Sequence, residues 1–398
     1  MKMVEFKRVK LSNGLTILHE RRELPVTTIM LASRFGSAYE SEKEKGIAHF
    51  LEHMCFKGTQ QRSAKEIGAA IEKLGGIINA FTGEEVTNFH VKLPSEHLEI
   101  GMDVLFDLYF NSIFPDEEIK KEAKVVCEEI KMYKDHPKMF VLTKLKGLLY
   151  KKPFGLLISG AEKNVLGFNR KFLLEKFNEM YVPENSILCV VGNNNIEEIV
   201  RLAEKFCTNK RGTRTILKKP ALQLKNFLEK RKGIEQANVA LGIRVPFSEK
   251  ERYAVDLFNA IFGEGMSSKL FLEVREKRGL VYTVRSEIDN GKEYGYMMIH
   301  LGCDKKNISL AKKVCIDEFK KMSDISQKEL DEAKEQLIGN FRIAAEASEE
   351  SANELVSEEI NFAAEKYYEY EKNVREVKLE DVRKIAKLKD FVCAVLSP

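Results

Sequence analysis

The 398-residue sequence has no tryptophan and few prolines, and its seven cysteines are scattered without a Cys-x-x-Cys pair. Scattered cysteines of this kind are typical of reduced thiols and argue against a disulfide framework. No apolar run is long enough to span a bilayer, and the first residues lack the apolar core of a signal peptide. We therefore expect a cytoplasmic protein that does not associate with membranes.

The sequence also has little net charge. Lysine and arginine number 65 against 61 aspartates and glutamates, which gives a formal charge of +4. Such a balance gives no basis for binding to nucleic acid. A hydrophobic content of 44% and a charged content of 32% are typical of a globular protein. The chain is longer than one that usually folds around a single hydrophobic core, so two or more domains are expected.

The strongest candidates for metal binding or catalysis lie in one short apolar stretch, residues 46–58, which contains His49, Glu52 and His53. Glycines bracket a run of good helix formers, which predicts one short helix. At about 100° per residue, the two histidines lie on one face and Glu52 projects about 60° to the side. Two imidazoles stacked in this way can bind one zinc ion, and the nearby carboxylate can take a proton from water. The order His-x-x-Glu-His is the inverted form of the zincin motif.

The same five-residue pattern also arises by chance on helices that bind no metal. Its flanks favour a metal site, because Phe50, Leu51 and Met54 would bury the helix, and buried His and Glu side chains need partners. The remaining histidines are expected on the surface or in ordinary hydrogen bonds: His19, His90, His97, His136 and His300.

A catalytic zinc ion takes three protein ligands and keeps one position open, so a third ligand is needed. A helix predicted over residues 116–135 has an apolar stripe, and Glu122 and Glu129, two turns apart, fall at the edge of that stripe. Glu128 projects toward solvent instead. Either Glu122 or Glu129 can therefore face a metal. Alternatively, both line the helix boundary and pair with nearby lysines.

The order of predicted elements repeats along the chain. In each half, strands are followed by helices, then by an apparent hairpin (77–93 and 281–301) and further helices, and each half closes on an apolar strand. We predict an α+β protein of two related domains of about 200 residues, each a mainly antiparallel sheet packed with helices. The expected boundaries are residues 1–212 for the zinc-binding domain, 213–232 for a basic linker and 233–398 for the second domain. Only the first domain contains the His-x-x-Glu-His motif.

With a glutamate 76 residues after His53, the motif resembles the pitrilysin/insulinase family of zinc peptidases. The similarity is greatest to the short-chain, mitochondrial-processing-peptidase-like branch of that family. The resemblance implies that His49, His53 and Glu129 bind one zinc ion per chain. It further implies that Glu52 is the general base and that Glu122 is a supporting carboxylate.

A second stretch, residues 75–82, resembles the family's edge strand beside the zinc, to which a substrate peptide adds as an extra strand. Main-chain hydrogen bonds to Asn79, Ala80 and Phe81 would hold an extended peptide largely regardless of its side chains. Alternatively, this segment is simply one arm of a hairpin.

In the second half, residues 263–282 also resemble the family. Arg275 and Tyr282 match the pair that contacts the substrate carbonyl and stabilises the oxyanion, although Arg278 competes for the arginine role. Either arginine could instead be an ordinary surface cation. Members of this branch form dimers that enclose a chamber, which implies that Arg275 and Tyr282 act at the zinc of the other subunit.

The resemblance implies a zinc-dependent endopeptidase that hydrolyses peptides or unfolded polypeptides inside a dimeric chamber. The long glycine-rich loop of the noncatalytic processing-peptidase subunit is absent, since only Gly263 and Gly265 remain, and this favours a self-sufficient homodimer. The alternatives are one subunit of a heterodimeric processing peptidase and a noncatalytic scaffold that kept the fold.

Overall fold

A computed structural model of the protein describes residues 5–214 and 216–398. These residues form two compact units. Within the described residues, the first unit comprises residues 5–130, residues 157–217 apart from residue 215, and Ala344–Tyr367, and the second comprises Lys131–Leu156, Lys218–Ile343 and Tyr368–Pro398. Each unit is therefore made of three separate segments of the sequence, whereas the predicted domains, residues 1–212 and 233–398, are each continuous.

The elements of the described chain are as follows. The strands are β1 (Glu5–Lys10), β2 (Thr16–Arg21), β3 (Val26–Ser33), β4 (Ile77–Thr82), β5 (Thr87–Pro94), β6 (Ser186–Gly192), β7 (Asn226–Lys230), β8 (Ala237–Arg244), β9 (Thr283–Asn290), β10 (Gly295–Cys303) and β11 (Val392–Ser397). The α-helices are α1 (Ile47–Cys55), α2 (Ala64–Glu72), α3 (Leu98–Phe110), α4 (Asp116–Asp135), α5 (Pro137–Leu149), α6 (Glu162–Val165), α7 (Arg170–Met180), α8 (Ile196–Phe206), α9 (Arg252–Gly263), α10 (Ile308–Lys321), α11 (Gln327–Ala344), α12 (Ser348–Asn361), α13 (Lys366–Glu376) and α14 (Leu379–Ile385). A π-helical segment covers Phe271–Glu276. Among these helices, none combines the length and the apolarity needed to cross a membrane.

The first unit is built on a six-stranded sheet in the order β1-β2-β6-β3-β5-β4. Neighbouring strands are antiparallel except for β2 and β6. Alternate residues of β5, namely Phe89, Val91 and Leu93, are buried in the apolar core with α1 and α3. The helix α1 also packs against β4, the last strand of the sheet, so the candidate zinc helix lies beside an edge strand.

The other face of this sheet contacts α12 through polar side chains. Because successive strand residues alternate between faces, the residues between the core positions of β5 point to α12. The contacts include Thr28 with Ser348 (Oγ1 to Oγ, 2.8 Å), Asn88 with Asn353 (Nδ2 to Oδ1, 3.2 Å) and His90 with Glu349 (Nε2 to Oε1, 3.1 Å). A helix from the C-terminal half of the sequence thus completes the first unit.

The second unit contains a five-stranded sheet in the order β7-β11-β8-β10-β9, in which only β7 and β11 are parallel. The helix α5 packs on β8 and β11. This contact requires a glycine at position 242, since a Cβ atom there would lie 2.9 Å from Cγ of Leu145. The opposite face of β8 lies in an apolar core with α9, where Leu241 and Phe258 are both buried.

Two α+β units with mainly antiparallel sheets confirm the predicted fold class. The structure differs from the predicted elements at the sheet edges. The strand β7 lies within residues 213–232, the segment expected to be a linker. The edge strand β7 has no fully buried residue, so no strongly apolar run marks it in the sequence. The edge strand β1 and the helices α8, α12 and α13 were also not predicted.

Candidate metal centre

The helix α1 presents its polar residues on a partly open face. Gly46 precedes the helix at φ 103°, in the left-handed region that favours glycine, and a Cβ atom there would lie 2.7 Å from the carbonyl oxygen of Ser159. The apolar residues of the helix are fully buried: Ile47, Ala48, Phe50, Leu51, Met54 and Cys55. The side chains of His49 and His53 remain 12% and 21% exposed. Both histidines are therefore buried enough to need partners and open enough to receive an ion.

The buried carboxylate of Glu40 holds the first turn of α1. It accepts hydrogen bonds from the backbone N–H groups of Gly46 (3.1 Å) and Ala48 (2.8 Å), and Nζ of Lys45 lies 3.6 Å away. Burial raises the pKa of Glu40, and the Lys45 ammonium opposes that rise. A carboxylate at a helix N-terminus is favourable because it meets the positive end of the helix dipole. Glu40 therefore fixes the start of the helix that carries the histidines.

Three side chains converge at the open face of α1. The Nε2 atoms of His49 and His53 are 3.3 Å apart, and the two carboxylate oxygens of Glu129 lie 3.6 Å and 3.7 Å from them. Ligands at about 2.0–2.1 Å around a tetrahedral zinc ion lie about 3.4 Å from one another. The three distances therefore fit one small cation at the centre of the group. Among the described residues, this is the one group of His, Cys, Asp and Glu side chains that could hold a metal.

Glu129 reaches the histidines from α4. The helix buries an apolar side made of Ile119, Ala123, Val126 and Ile130. Glu122 and Glu129 border that side, and Glu122 Oε1 lies 2.8 Å from Nδ1 of His53. Glu128 is exposed. The structure thus brings both glutamates at the edge of the stripe to the histidines of α1. Glu129 faces the Nε2 atoms of both rings, and Glu122 faces Nδ1 of His53.

The electrostatics of the group favour a bare imidazole at His49. Burial, together with the neighbouring His53, lowers the pKa of His49 to about 3. Burial also acts to lower the pKa of His53, but the hydrogen bond to Glu122 and the charges of Glu52 and Glu129 outweigh it and raise that pKa. Burial raises the pKa of Glu129, and His53 opposes the rise. Two imidazoles and one carboxylate match the donor set of many catalytic zinc sites.

Glu52 lies beside the convergent group without belonging to it. Thr82, the last residue of β4, donates a hydrogen bond from Oγ1 to Oε2 of Glu52. Burial raises the pKa of Glu52, and the hydrogen bond from Thr82 opposes the rise. A carboxylate whose pKa is raised toward neutral pH is suited to accept and release a proton.

The strand β4 is an edge strand that pairs with β5 alone in this sheet. Its residues alternate in exposure, and Ile77, Asn79 and Phe81 are exposed on one face. Oδ1 of Asn79 accepts a hydrogen bond from the backbone N–H of Ala80 at 2.8 Å. The strand therefore offers an open edge directly next to α1.

Arg275 and Tyr282 belong to the second compact unit. Arg275 lies in the π-helical segment, where its guanidinium stacks on Phe271 at 4.7 Å and remains 46% exposed. Arg278 instead donates to the backbone oxygen and the carboxylate of Glu273. The hydroxyl of Tyr282 donates to Oδ1 of Asp304 at 3.0 Å. The guanidinium of Arg278, the other candidate for this role, is thus held by hydrogen bonds to Glu273, whereas that of Arg275 is held mainly by stacking on Phe271.

Three residues around the site, Glu40, Lys57 and Thr82, are not indicated by the sequence motifs. Lys57 Nζ lies 2.6 Å from Oε2 of Glu122. Glu40 binds the first turn of α1, Lys57 pairs with Glu122 from the turn after α1, and Thr82 binds Glu52 from β4. Only Lys57 had a local signal, because it follows His53 by four residues and continues its side of the helix.

Comparison with known proteins shows the family to which the chain is related. Residues 16–161 match the profile of the insulinase family, peptidase family M16, and residues 167–337 match the profile of the peptidase M16 inactive domain. An uncharacterized zinc protease of Rickettsia felis is 36% identical over 86% of this chain and 84% of its own length. An uncharacterized zinc protease of Bacillus subtilis is 32% identical over 98% of both chains.

Solved structures agree on the fold. A protease from Helicobacter pylori superposes with a TM-score of 0.91 at 22% identity, over 99% of this chain and all of that chain. A peptidase M16 inactive domain from Pseudomonas fluorescens has a TM-score of 0.90 at 20% identity, over 99% of this chain and 98% of that one. The two family profiles and the zinc-protease relatives together identify this chain as a member of the insulinase family of peptidases, family M16.

Proposed function

We propose that this protein is a zinc-dependent endopeptidase that binds one zinc ion per chain through His49, His53 and Glu129. The main support is the convergence of two Nε2 atoms and one carboxylate at 3.3–3.7 Å, with a separate carboxylate, Glu52, beside them. The zinc-protease names of the relatives support the same metal.

In this proposal Glu52 is the general base. Zinc held by His49, His53 and Glu129 would supply Lewis acidity, which would lower the pKa of water and polarise a carbonyl group. Glu52 accepts the proton of the attacking water and delivers it to the nitrogen of the departing amine. Glu122 accepts a hydrogen bond from Nδ1–H of His53, which leaves Nε2 of the neutral ring as the nitrogen that can bind a metal.

The substrate in this proposal is an extended peptide or an unfolded polypeptide. It adds to the open edge of β4 through main-chain hydrogen bonds at Asn79, Ala80 and Phe81. Main-chain recognition selects for an extended conformation more than for sequence. A folded protein cannot present such a strand without local unfolding, so we expect it to be a poor substrate.

The second domain contributes Arg275 and Tyr282 as donors to the oxyanion in this proposal. Both side chains are about half exposed, and the hydroxyl of Tyr282 would exchange its hydrogen bond to Asp304 for one to the oxyanion. One well-placed donor of this kind contributes about 3–4 kcal/mol to the transition state. By resemblance, the active form is a homodimer that encloses a chamber. The seven cysteines are free among the described residues, which supports a reducing, cytoplasmic setting.

Two alternatives remain distinct from this proposal: one subunit of a heterodimeric peptidase, and a noncatalytic scaffold. Three measurements on the isolated chain separate them: zinc content, oligomeric state by gel filtration, and cleavage of an internally quenched peptide. The proposal predicts one zinc per chain, a dimer and cleavage. Zinc without cleavage indicates a missing partner, and neither zinc nor cleavage indicates a scaffold.

A second comparison tests the substrate class. We expect a short unstructured peptide to be cleaved much faster than a stable globular protein of similar composition. Equal rates would contradict selection for extended chains. The variant His49→Ala should lose the zinc, and stoichiometric zinc in that variant would contradict the ligand assignment.

A further inference from the structure

A chain of three charged or polar side chains extends from the candidate metal site to the turn after α1. Nζ of Lys57 lies 2.6 Å from Oε2 of Glu122, and Oε1 of the same carboxylate lies 2.8 Å from Nδ1 of His53. The Glu122 side chain is 7% exposed and that of Lys57 is 26% exposed. Each oxygen of Glu122 thus has its own nitrogen partner in a largely buried setting.

The local sequence places Lys57 where it can reach this carboxylate. The backbone N–H of Lys57 bonds to the carbonyl oxygen of Met54, so the chain still follows the helical turn at this point. Gly58 then leaves the helix at φ 118°, in the region that favours glycine. The side chain of Lys57 consequently lies on the same side of α1 as His53, four residues earlier.

This arrangement fixes the tautomer of His53. An ionised carboxylate only accepts hydrogen bonds, so Nδ1 of His53 must carry a proton, and in the neutral ring Nε2 is then bare. Nε2 is the atom that faces His49 and Glu129 across 3.3 Å and 3.7 Å. Lys57 favours the ionised form of Glu122 and occupies its second oxygen, which holds the first oxygen toward the ring.

The other histidine has no equivalent support. Nδ1 of His49 is buried and has no hydrogen-bond partner among the described residues. The orientation of the site therefore depends more strongly on His53, and on the residues behind it.

We propose that Lys57 is a positioning residue, which acts through Glu122 to hold His53 in the tautomer and orientation that bind the metal. This proposal rests on the proposed zinc site. It assigns Lys57 no contact with substrate or metal.

The first test is the zinc affinity of the purified chain, measured by competition with a fluorescent chelator. Outer-shell partners of zinc-binding histidines affect affinity by about 10–100-fold. We expect Lys57→Met to weaken binding by about 10-fold and Lys57→Arg to restore most of the affinity. Lys121→Met is a matched control, because Lys121 pairs with Glu118 at the same 2.6 Å on the surface of α4. Equal affinities for Lys57→Met and the wild type would overturn the proposal.

A double-mutant cycle tests whether Lys57 acts through Glu122. In the Glu122→Gln background, Lys57→Met should have almost no further effect on zinc affinity, because the residue it orients is already changed. Full additivity would show that Lys57 acts by another route and would contradict the proposal.

The tautomer provides a readout that a general loss of stability does not change. In the metal-free wild type, at a pH where the His53 ring is neutral, ¹⁵N NMR of labelled histidine should report protonation at Nδ1, and Lys57→Met should shift His53 toward a mixture of the two tautomers. An unchanged tautomer in Lys57→Met would overturn the proposed role of Lys57. Absence of zinc binding in the wild type is a separate result, and it would refute the proposed function. Should Lys57→Met not fold, Lys57→Gln serves the same measurements, with thermal unfolding as the check.

Discussion

Thr82 donates a hydrogen bond to the carboxylate of Glu52, and Thr82 is the last residue of the edge strand proposed to bind the substrate. The proposed base and the proposed binding strand are therefore joined by one side chain. A peptide that adds to β4 would lie on the element that orients the base.

Thr82→Val tests this connection, because it keeps the shape of the side chain and removes the donor. We expect kcat for peptide cleavage to fall by about 10-fold, an effect of about 1.4 kcal/mol on the barrier, since Glu52 loses its orientation. KM and zinc content should change little. Thr82→Ser keeps the hydroxyl and should retain most of the activity. A valine variant with wild-type kcat would contradict the role of this hydrogen bond.

The sequence predicted the parts of the site that depend on local geometry. The spacing of His49 and His53 places them on one face of any helix, and the apolar stripe of α4 distinguishes Glu128 from Glu122 and Glu129. The structure brings the latter two to the histidines. Their roles as ligand and supporting carboxylate stay predictions until metal binding is measured.

The sequence could not predict contacts made between distant elements. Thr82 and Glu40 reach α1 from a strand and a loop, and no periodicity in either segment marks them. The helix α12 was missed because serine and glutamate side chains are buried along it as often as apolar ones, so it shows no continuous apolar stripe. Hydrophobic patterning predicts a helix only where the buried side is apolar.

The variant Glu52→Gln tests the general base directly. Glutamine keeps the size of the side chain and can still accept the hydrogen bond from Thr82, but it cannot take a proton at neutral pH. We expect zinc content equal to that of the wild type and a loss of peptide cleavage of at least about 10²–10⁴-fold. Zinc analysis and a peptide assay on the same sample provide the measurement. Turnover near the wild-type rate would exclude Glu52 as the base.

Glu359 is expected to be important for the stability of the first unit. Its carboxylate pairs with Arg34 at 3.1 Å and Arg8 at 2.7 Å, and the side chains of Glu359 and Arg34 are 3% and 4% exposed. Glu359→Ala leaves the Arg34 guanidinium buried without this partner, which costs about 3–5 kcal/mol in comparable sites. Chemical denaturation followed by circular dichroism measures the change.

The matched control for Glu359 is Glu99→Ala, which removes an exposed partner of Lys205 in the same unit. Exposed pairs contribute little, so this variant should unfold at the wild-type denaturant concentration. Equal losses in both variants would show that burial of the Glu359 pair has no special effect.

The last prediction concerns pH and His19, which is 1% exposed in β2 rather than on the surface. Burial, with Lys7 and Arg21 nearby and Glu5 in opposition, lowers the pKa of His19 to about 4, against about 6.5 in an unfolded chain. The unfolded state therefore takes up the proton first as the pH falls. The stabilisation from neutral His19 is complete above pH about 6.5, declines down to pH about 4, and amounts to about 3 kcal/mol.

Thermal unfolding across this range should show a steeper loss of stability for the wild type than for His19→Met. The control variant His97→Met, at a partly exposed position, should follow the wild type. Parallel pH profiles for the wild type and His19→Met would show that His19 is not the group that titrates.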